Sequence, residues 1–196
     1  MRAYKEEYES IKRMLHASSV TNAEWDLFIE RTQLKLINQG TYLVRAEERV
    51  QYAYFCTEGL FRLFYTLADG KEFIKSFSLA NDFVTSYGAM ISGEPSYFSL
   101  QALEDSVVIE ISYALLQELM DRSHNWERFV RKSVEQLYLK KEERERQLLY
   151  LSAAERLQAF RTRYPGLEQR IPQYHIASYL GISPVSLSRI VNQTRN

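Results

Sequence analysis

The side chains able to do chemistry in this sequence are few and scattered. Among 196 residues there are three histidines and one cysteine. His16, His124 and His175 lie far apart, with no Cys or His at metal-ligand spacing. Neither a zinc nor an iron–sulfur site is expected, and no cofactor is expected. Cys56 has no partner for an intrachain disulfide and sits in the apolar run Tyr52-Ala53-Tyr54-Phe55-Cys56. It reads as a small buried hydrophobe, with a redox-sensing thiol as the alternative. Asp69 and Asp82 fall in turn-like surroundings, and no nucleophile–base pair or phosphate loop is present. The chain is not expected to be an enzyme.

The densest set of constrained positions lies at 173–192, Gln173-Tyr174-His175-Ile176-Ala177-Ser178-Tyr179-Leu180-Gly181-Ile182-Ser183-Pro184-Val185-Ser186-Leu187-Ser188-Arg189-Ile190-Val191-Asn192. Ile176, Leu180, Ile182, Leu187 and Ile190 can close one small core between two short helices. Ala177 allows those helices to approach closely. Gly181 tolerates the positive φ that ends the first helix. Ser183 can cap the second, and Pro184 suits a first turn that needs no amide donor. The pattern is that of a helix-turn-helix, whose second helix enters a DNA major groove. Ser183, Val185, Ser186, Ser188, Arg189 and Asn192 are the candidate DNA contacts. The alternative is an ordinary helical hairpin packed on the rest of the chain.

Other elements must hold that motif in place. Residues 4–17 and 22–30 read as short helices, the second opened by Thr21 and Glu24 at capping-box spacing. From about 33 to 111 the pattern turns to period two, rich in Tyr, Phe, Val and Ile. Runs at 60–67 and 72–79 flank Ala68-Asp69-Gly70-Lys71, a strong hairpin signal. Further turns at Gly40, Glu58-Gly59 and Ser92-Gly93-Glu94-Pro95 suggest a compact antiparallel barrel or double-sheet roll. A short helix follows at 113–121, then a long one at 124–151 without Gly or Pro. On it Trp126, Val130, Val134 and Leu137, and again Leu148 and Leu151, recur at steps of three and four, a seam like that of a coiled coil, interrupted by Lys141 and Arg144. A homodimer through this helix is expected, with packing on the chain's own strands as the alternative. Ser152 and Glu155 repeat the capping-box spacing, opening a helix that ends before Pro165-Gly166.

The expected fold class is therefore α+β: a jelly-roll-like double-stranded β-roll sensor domain at 1–122, a dimerisation helix at 123–151 and a helix-turn-helix domain at 152–196. The formal net charge of zero hides an asymmetry. From Ser152 onward six arginines face two glutamates, so a basic tail follows an acidic body, which points to a polyanion bound at one end. No apolar run approaches the roughly 20 residues of a membrane span, and the charged start lacks the apolar middle of a signal peptide. A cytoplasmic location without a membrane partner is expected.

With roll, long helix and helix-turn-helix in this order, the chain resembles the Crp–Fnr family over nearly its whole length. The resemblance is most specific at 176–190 and where Gly59-Leu60-Phe61-Arg62-Leu63 precedes the Asp69-Gly70 hairpin. It implies a homodimeric transcription regulator binding a roughly palindromic site on double-stranded DNA, with RNA polymerase as a further candidate partner. The family's effector cassette departs here: Ser86 stands at the ribose-binding Glu and Ser96 at the phosphate-binding Arg. Losing two charge-assisted contacts removes about two to four decades of affinity, so cyclic AMP is not the expected effector. A different small molecule near Thr85, Ser86, Ser96 and Tyr97 is expected instead, with ordinary surface turn residues as the alternative. The cysteines of an oxygen-sensing iron–sulfur member are missing. Only Arg189 is basic within the motif, which leaves a dimeric sensor or scaffold acting through protein contacts as the competing function.

Overall fold

In a computed structural model, residues 6–193 are described. Helix α1 (Glu9–His16) is shorter than the stretch expected to be helical, whose first two residues lie outside the described region. Helix α2 (Asn22–Arg31) opens on a complete capping box: Thr21 Oγ1 accepts from the Glu24 amide, and the Glu24 carboxylate accepts from the Thr21 amide. Both helices turn Ile11, Leu15, Trp25 and Phe28 into the core.

The β region is a two-sheet roll. Its strands are β1 (Gln33–Ile37), β2 (Tyr42–Val44), β3 (Tyr52–Glu58), β4 (Leu60–Thr66), β5 (Glu72–Leu79), β6 (Phe83–Val84), β7 (Ser99–Ala102) and β8 (Ser106–Ser112), with helix α3 (Tyr87–Ser92) between β6 and β7. One antiparallel sheet runs β1-β8-β3-β6 and the other β2-β7-β4-β5. Gly59 carries the chain from the first sheet to the second at a φ of +118°, and a Cβ there would overlap Ser106. The β4–β5 hairpin turns on Gly70, at a φ of +82°, with Asp69 Oδ1 accepting from the Lys71 amide.

Strand β4 does not follow the expected alternation. Leu60 through Phe64 are all buried, because both faces of the strand are covered. Phe61 and Leu63 point into the roll, while Leu60 and Phe64 join a second apolar cluster with Ile74 and Phe77 of β5. That cluster belongs to the C-terminal helices α6 (Ala153–Arg163), α7 (Gln173–Leu180) and α8 (Pro184–Gln193). The helical unit expected to stand apart from residue 152 onward thus shares one core with the outer face of the hairpin.

Helix α4 (Tyr113–Arg122) leads into α5 (His124–Tyr150), which packs on α4 and begins inside the roll. Trp126 and Phe129 are buried among Phe28 and Phe83, with Trp126 5.2 Å from Phe28 between ring centres. Trp126 therefore does not belong to an exposed seam. Its bulk fills the roll's own core, fixing the start of α5. Among the described residues no helix is long and apolar enough to cross a membrane.

Candidate nucleic-acid interface and ligand cleft

The C-terminal motif folds as its sequence dictates. Helix α7 ends at Gly181, whose φ of +70° lets Gly181 N donate to Ser178 O at 3.1 Å and Ile182 N donate to Ala177 O at 3.0 Å. This paired closure reverses the chain within two residues. Ser183 then caps α8, its Oγ accepting from the Ser186 amide at 3.1 Å and lying 2.9 Å from Ser186 Oγ. Leu187, fully buried, fastens α8 to Ile176, Ala177 and Leu180, with Ile182 and Ile190 at the edge of the same core.

The opposite face of α8 is open. Val185, Ser188, Arg189 and Asn192 are exposed, and Val185 retains 62% of its surface. Ser183 and Ser186 sit beside them at the helix start, their hydroxyls engaged with each other. The six candidate contacts thus fall on one end and one side of α8. Basic Arg156, Arg161 and Arg163 of α6 are held elsewhere: Arg156 by the carbonyls of Leu151 and Leu180, Arg161 by Glu168, and Arg163 by Glu143.

Helix α7 has a second duty that the motif alone does not disclose. Its Ser178 Oγ donates to Glu72 O at 3.1 Å and accepts from Ile74 N at 3.0 Å, covering the outer edge of β5. Phe77 of β5 lies against Phe160, Tyr164 and Tyr179 at 5.7 to 6.2 Å. At the rim Arg170 pairs with Glu104 at 2.6 Å. Beneath α7, buried Arg62 is held by Glu72 and by Gln101 and lies 3.9 Å over the Phe64 ring. Buried His175 sits near this pair. Burial pushes its pKa down to about 4, the Arg62 guanidinium acting the same way and the Glu72 carboxylate opposing.

A cleft of about 1740 Å³ separates the roll from α5 and reaches the inner faces of α6 and α7. Thr85, Ser86 and Tyr97 line it, with Tyr97 79% exposed and Ser86 buried. Ser96 does not line it. That residue is fully buried, and its hydroxyl donates to Phe98 O at 2.7 Å and accepts from Phe98 N at 3.3 Å, which spends it on its own turn. Thr85 likewise donates to Tyr52 O at 3.1 Å. Two further cleft residues are Lys75 of β5, not singled out in the sequence, and Lys141 of α5, expected only as a break in the helix seam. A lysine one place from a core residue in a hairpin strand, as Lys75 is beside Ile74, was the available signal.

On α5, Val130, Val134 and Leu137 are half-buried beside the exposed Tyr138 and Leu139, and exposed Leu148 lies about three turns further along. Val130, Val134, Tyr138 and Leu139 also line a shallow apolar groove toward Met120 and Tyr87. Arg144, which breaks the seam in the sequence, turns inward instead. It stacks 3.9 Å over the Tyr179 ring and donates to the Tyr179 carbonyl. Cys56 is fully buried, and burial, then the Asp82 and Glu58 carboxylates, hold its thiol above the ordinary pKa. This is the opposite of what a reactive thiolate requires. Among the described residues no group of His, Cys, Asp and Glu could hold a metal ion.

Comparison with known proteins agrees with this architecture. The cyclic nucleotide-binding domain family matches residues 34–123. The fumarate and nitrate reduction regulatory protein of Vibrio cholerae is 28% identical over 183 residues, covering 86% of this chain and 70% of the relative. The structure of FixK2 from Bradyrhizobium japonicum superposes with a TM-score of 0.72 at 19% identity, covering 84% of each chain. That of the c-di-GMP responsive global regulator CLP from Xanthomonas campestris gives 0.70 at 18%, covering 89% of this chain and 92% of the other. Residues 34–123 thus match the cyclic nucleotide-binding domain family, and the chain as a whole shares the fold of Crp–Fnr regulators.

Proposed function

We propose that this protein is a homodimeric transcription regulator that reads double-stranded DNA with α8 and receives its signal through the roll. The observation that carries this reading is the division of α8 into two faces. Leu187 locks one side onto α7, while Val185, Ser188, Arg189 and Asn192 stand clear on the other. Short polar and small apolar side chains around one arginine suit base edges and thymine methyls in a major groove. The half-buried Val130, Val134 and Leu137, with Tyr138 and Leu139 beside them, support pairing of two copies along α5. The relatives named above are regulators, and none of the catalytic patterns sought in the sequence is present, so no enzymatic role is assigned.

Selecting bound duplexes from a random pool, followed by binding at several salt concentrations, tests the reading. The expected product is a two-fold related motif with half-sites about 10 base pairs apart. Pools that enrich no motif would refute it. A second reading, a dimeric sensor acting through protein contacts, is favoured by one observation: Arg189 is the sole basic side chain on α8 among the described residues. It would be established by failure of that selection together with an intact dimer.

A further inference from the structure

The cleft between the roll and α5 carries a positive charge that its own walls leave unanswered. Lys75 Nζ stands 4.4 Å over the ring of Phe98, which packs edge-on against Tyr65 at 5.6 Å. Lys141 reaches the same space from α5, close enough to repel Lys75. Two of the carboxylates that line the cleft are taken: Asp82 pairs with Lys140 at 3.1 Å and Glu143 with Arg163 at 3.6 Å. Glu94 and Glu145 also border the cleft, and neither pairs with Lys75 or Lys141 among the described residues. Burial lowers the Lys75 pKa to about 8, with Lys141 adding to the effect, so holding this ammonium here costs the fold stability.

Apolar side chains contribute to the walls of the same cleft: Leu63, Tyr65, Ala89 and Phe98 on the roll side, Val134 and Leu137 on α5. A half-buried cation over an aromatic ring, facing a second cation with no carboxylate paired to either among the described residues, leaves room for one anion. The space exceeds what one small molecule fills, since ligand sites run to about 300–1,000 Å³. The remainder, along Val130 and Val134, is left for a second copy's α5.

We propose that this cleft binds a small organic acid with an apolar or aromatic body, its carboxylate held jointly by Lys75 of β5 and Lys141 of α5. The apolar body lies against Tyr65 and Phe98. Binding replaces the repulsion between the lysines with two attractions and draws α5 toward β5. Because β5 also carries α7 through Ile74 and Ser178, the ligand acts on the strand that seats the helix-turn-helix. The effector role rests on the regulator reading; the binding itself does not. The position expected to face a cyclic phosphate is closed, since the Ser96 hydroxyl is spent on Phe98.

Calorimetry on the full chain tests this with 4-phenylbutyrate and octanoate, each beside its neutral amide, and with cyclic AMP. Each acid is expected to bind about tenfold or more tightly than its amide. That preference should vanish in Lys75→Met, survive in Lys75→Arg and weaken in Lys141→Met. Acid and amide binding alike, neither binding, or cyclic AMP outranking both acids would each overturn the proposal. The acid–amide comparison uses the unaltered chain, so it stands even where a variant folds poorly. DNA selection by the unliganded protein is scored separately, and a chain that reads DNA but ignores acids sinks this inference alone.

Discussion

Replacing Ser178 by alanine isolates the attachment of the helix-turn-helix to the roll. Ser178 Oγ serves the β5 edge twice, accepting from Ile74 N at 3.0 Å and donating to Glu72 O at 3.1 Å. Alanine takes both away and leaves the Ile74 amide facing a methyl group, with Ile74 itself 4% exposed. An orphaned buried donor costs about 1–3 kcal/mol. The other polar ties offer little compensation. The Tyr164 hydroxyl reaches Phe77 O at a long 3.4 Å. The partly exposed Arg170–Glu104 pair contributes under about 1 kcal/mol. A loss near 2 kcal/mol should make the Ile74 amide exchange with solvent roughly thirtyfold faster by local opening. Amides of β3 and β8, in the other sheet, should be unchanged. Hydrogen exchange read residue by residue distinguishes this from global loss of stability. Equal Ile74 protection in variant and parent, at equal melting temperature, would show that the contact does not hold the unit.

Val134→Asp with Leu137→Asp should convert the dimer to a monomer that retains the roll, seen as a halved mass in light scattering; an unchanged mass would place the seam elsewhere. Arg189→Ala should melt like the parent, since Arg189 is exposed, yet lose about tenfold in affinity for the selected site, as one bidentate base contact contributes about 1–3 kcal/mol of discrimination; undiminished affinity would remove it from the reading face. His175 has a folded pKa depressed to about 4, below its ordinary 6.5, so the unfolded chain binds the extra proton first as pH falls. Stability should therefore be fully present above about pH 6.5 and decline by at most about 3 kcal/mol on descending to pH 4. Denaturant midpoints of the parent and His175→Phe should diverge over that window, and parallel curves would refute the assignment.

Much of this architecture is legible in the chain because local rules coincide. Thr21-Glu24 and Ser152-Glu155 spell two helix starts, Asp69-Gly70 the hairpin, and Gly181-Ile182-Ser183-Pro184 the turn of the motif. What was harder to read depends on which surface meets which. Trp126 fits the spacing of a helix seam, yet Phe28 claims it through a contact that no periodicity encodes. Arg144 interrupts the seam in sequence because its guanidinium serves Tyr179 across the fold. Ser96 occupies a binding position by alignment, but a turn only two residues long uses up its hydroxyl. The docking of the C-terminal helices did leave a trace. Leu60-Phe61-Arg62-Leu63-Phe64 is a continuous apolar run broken only by an ion-paired arginine, where a half-covered strand would alternate.

The double employment of α7 has a consequence for how two such chains would span a DNA duplex. With α7 fastened to β5 by its own side chains, each reading head is mounted on a rigid arm rather than hung from a flexible hinge. If two copies pair through α5 as proposed, the two arms would make a caliper whose opening is set by the bodies behind them. Such an instrument measures as well as reads. Adding one base pair between half-sites moves one target about 3.4 Å along the axis and turns it by about a tenth of a revolution. A caliper cannot follow both displacements without lifting α7 from its strand, so length between half-sites becomes a recognised quantity in its own right.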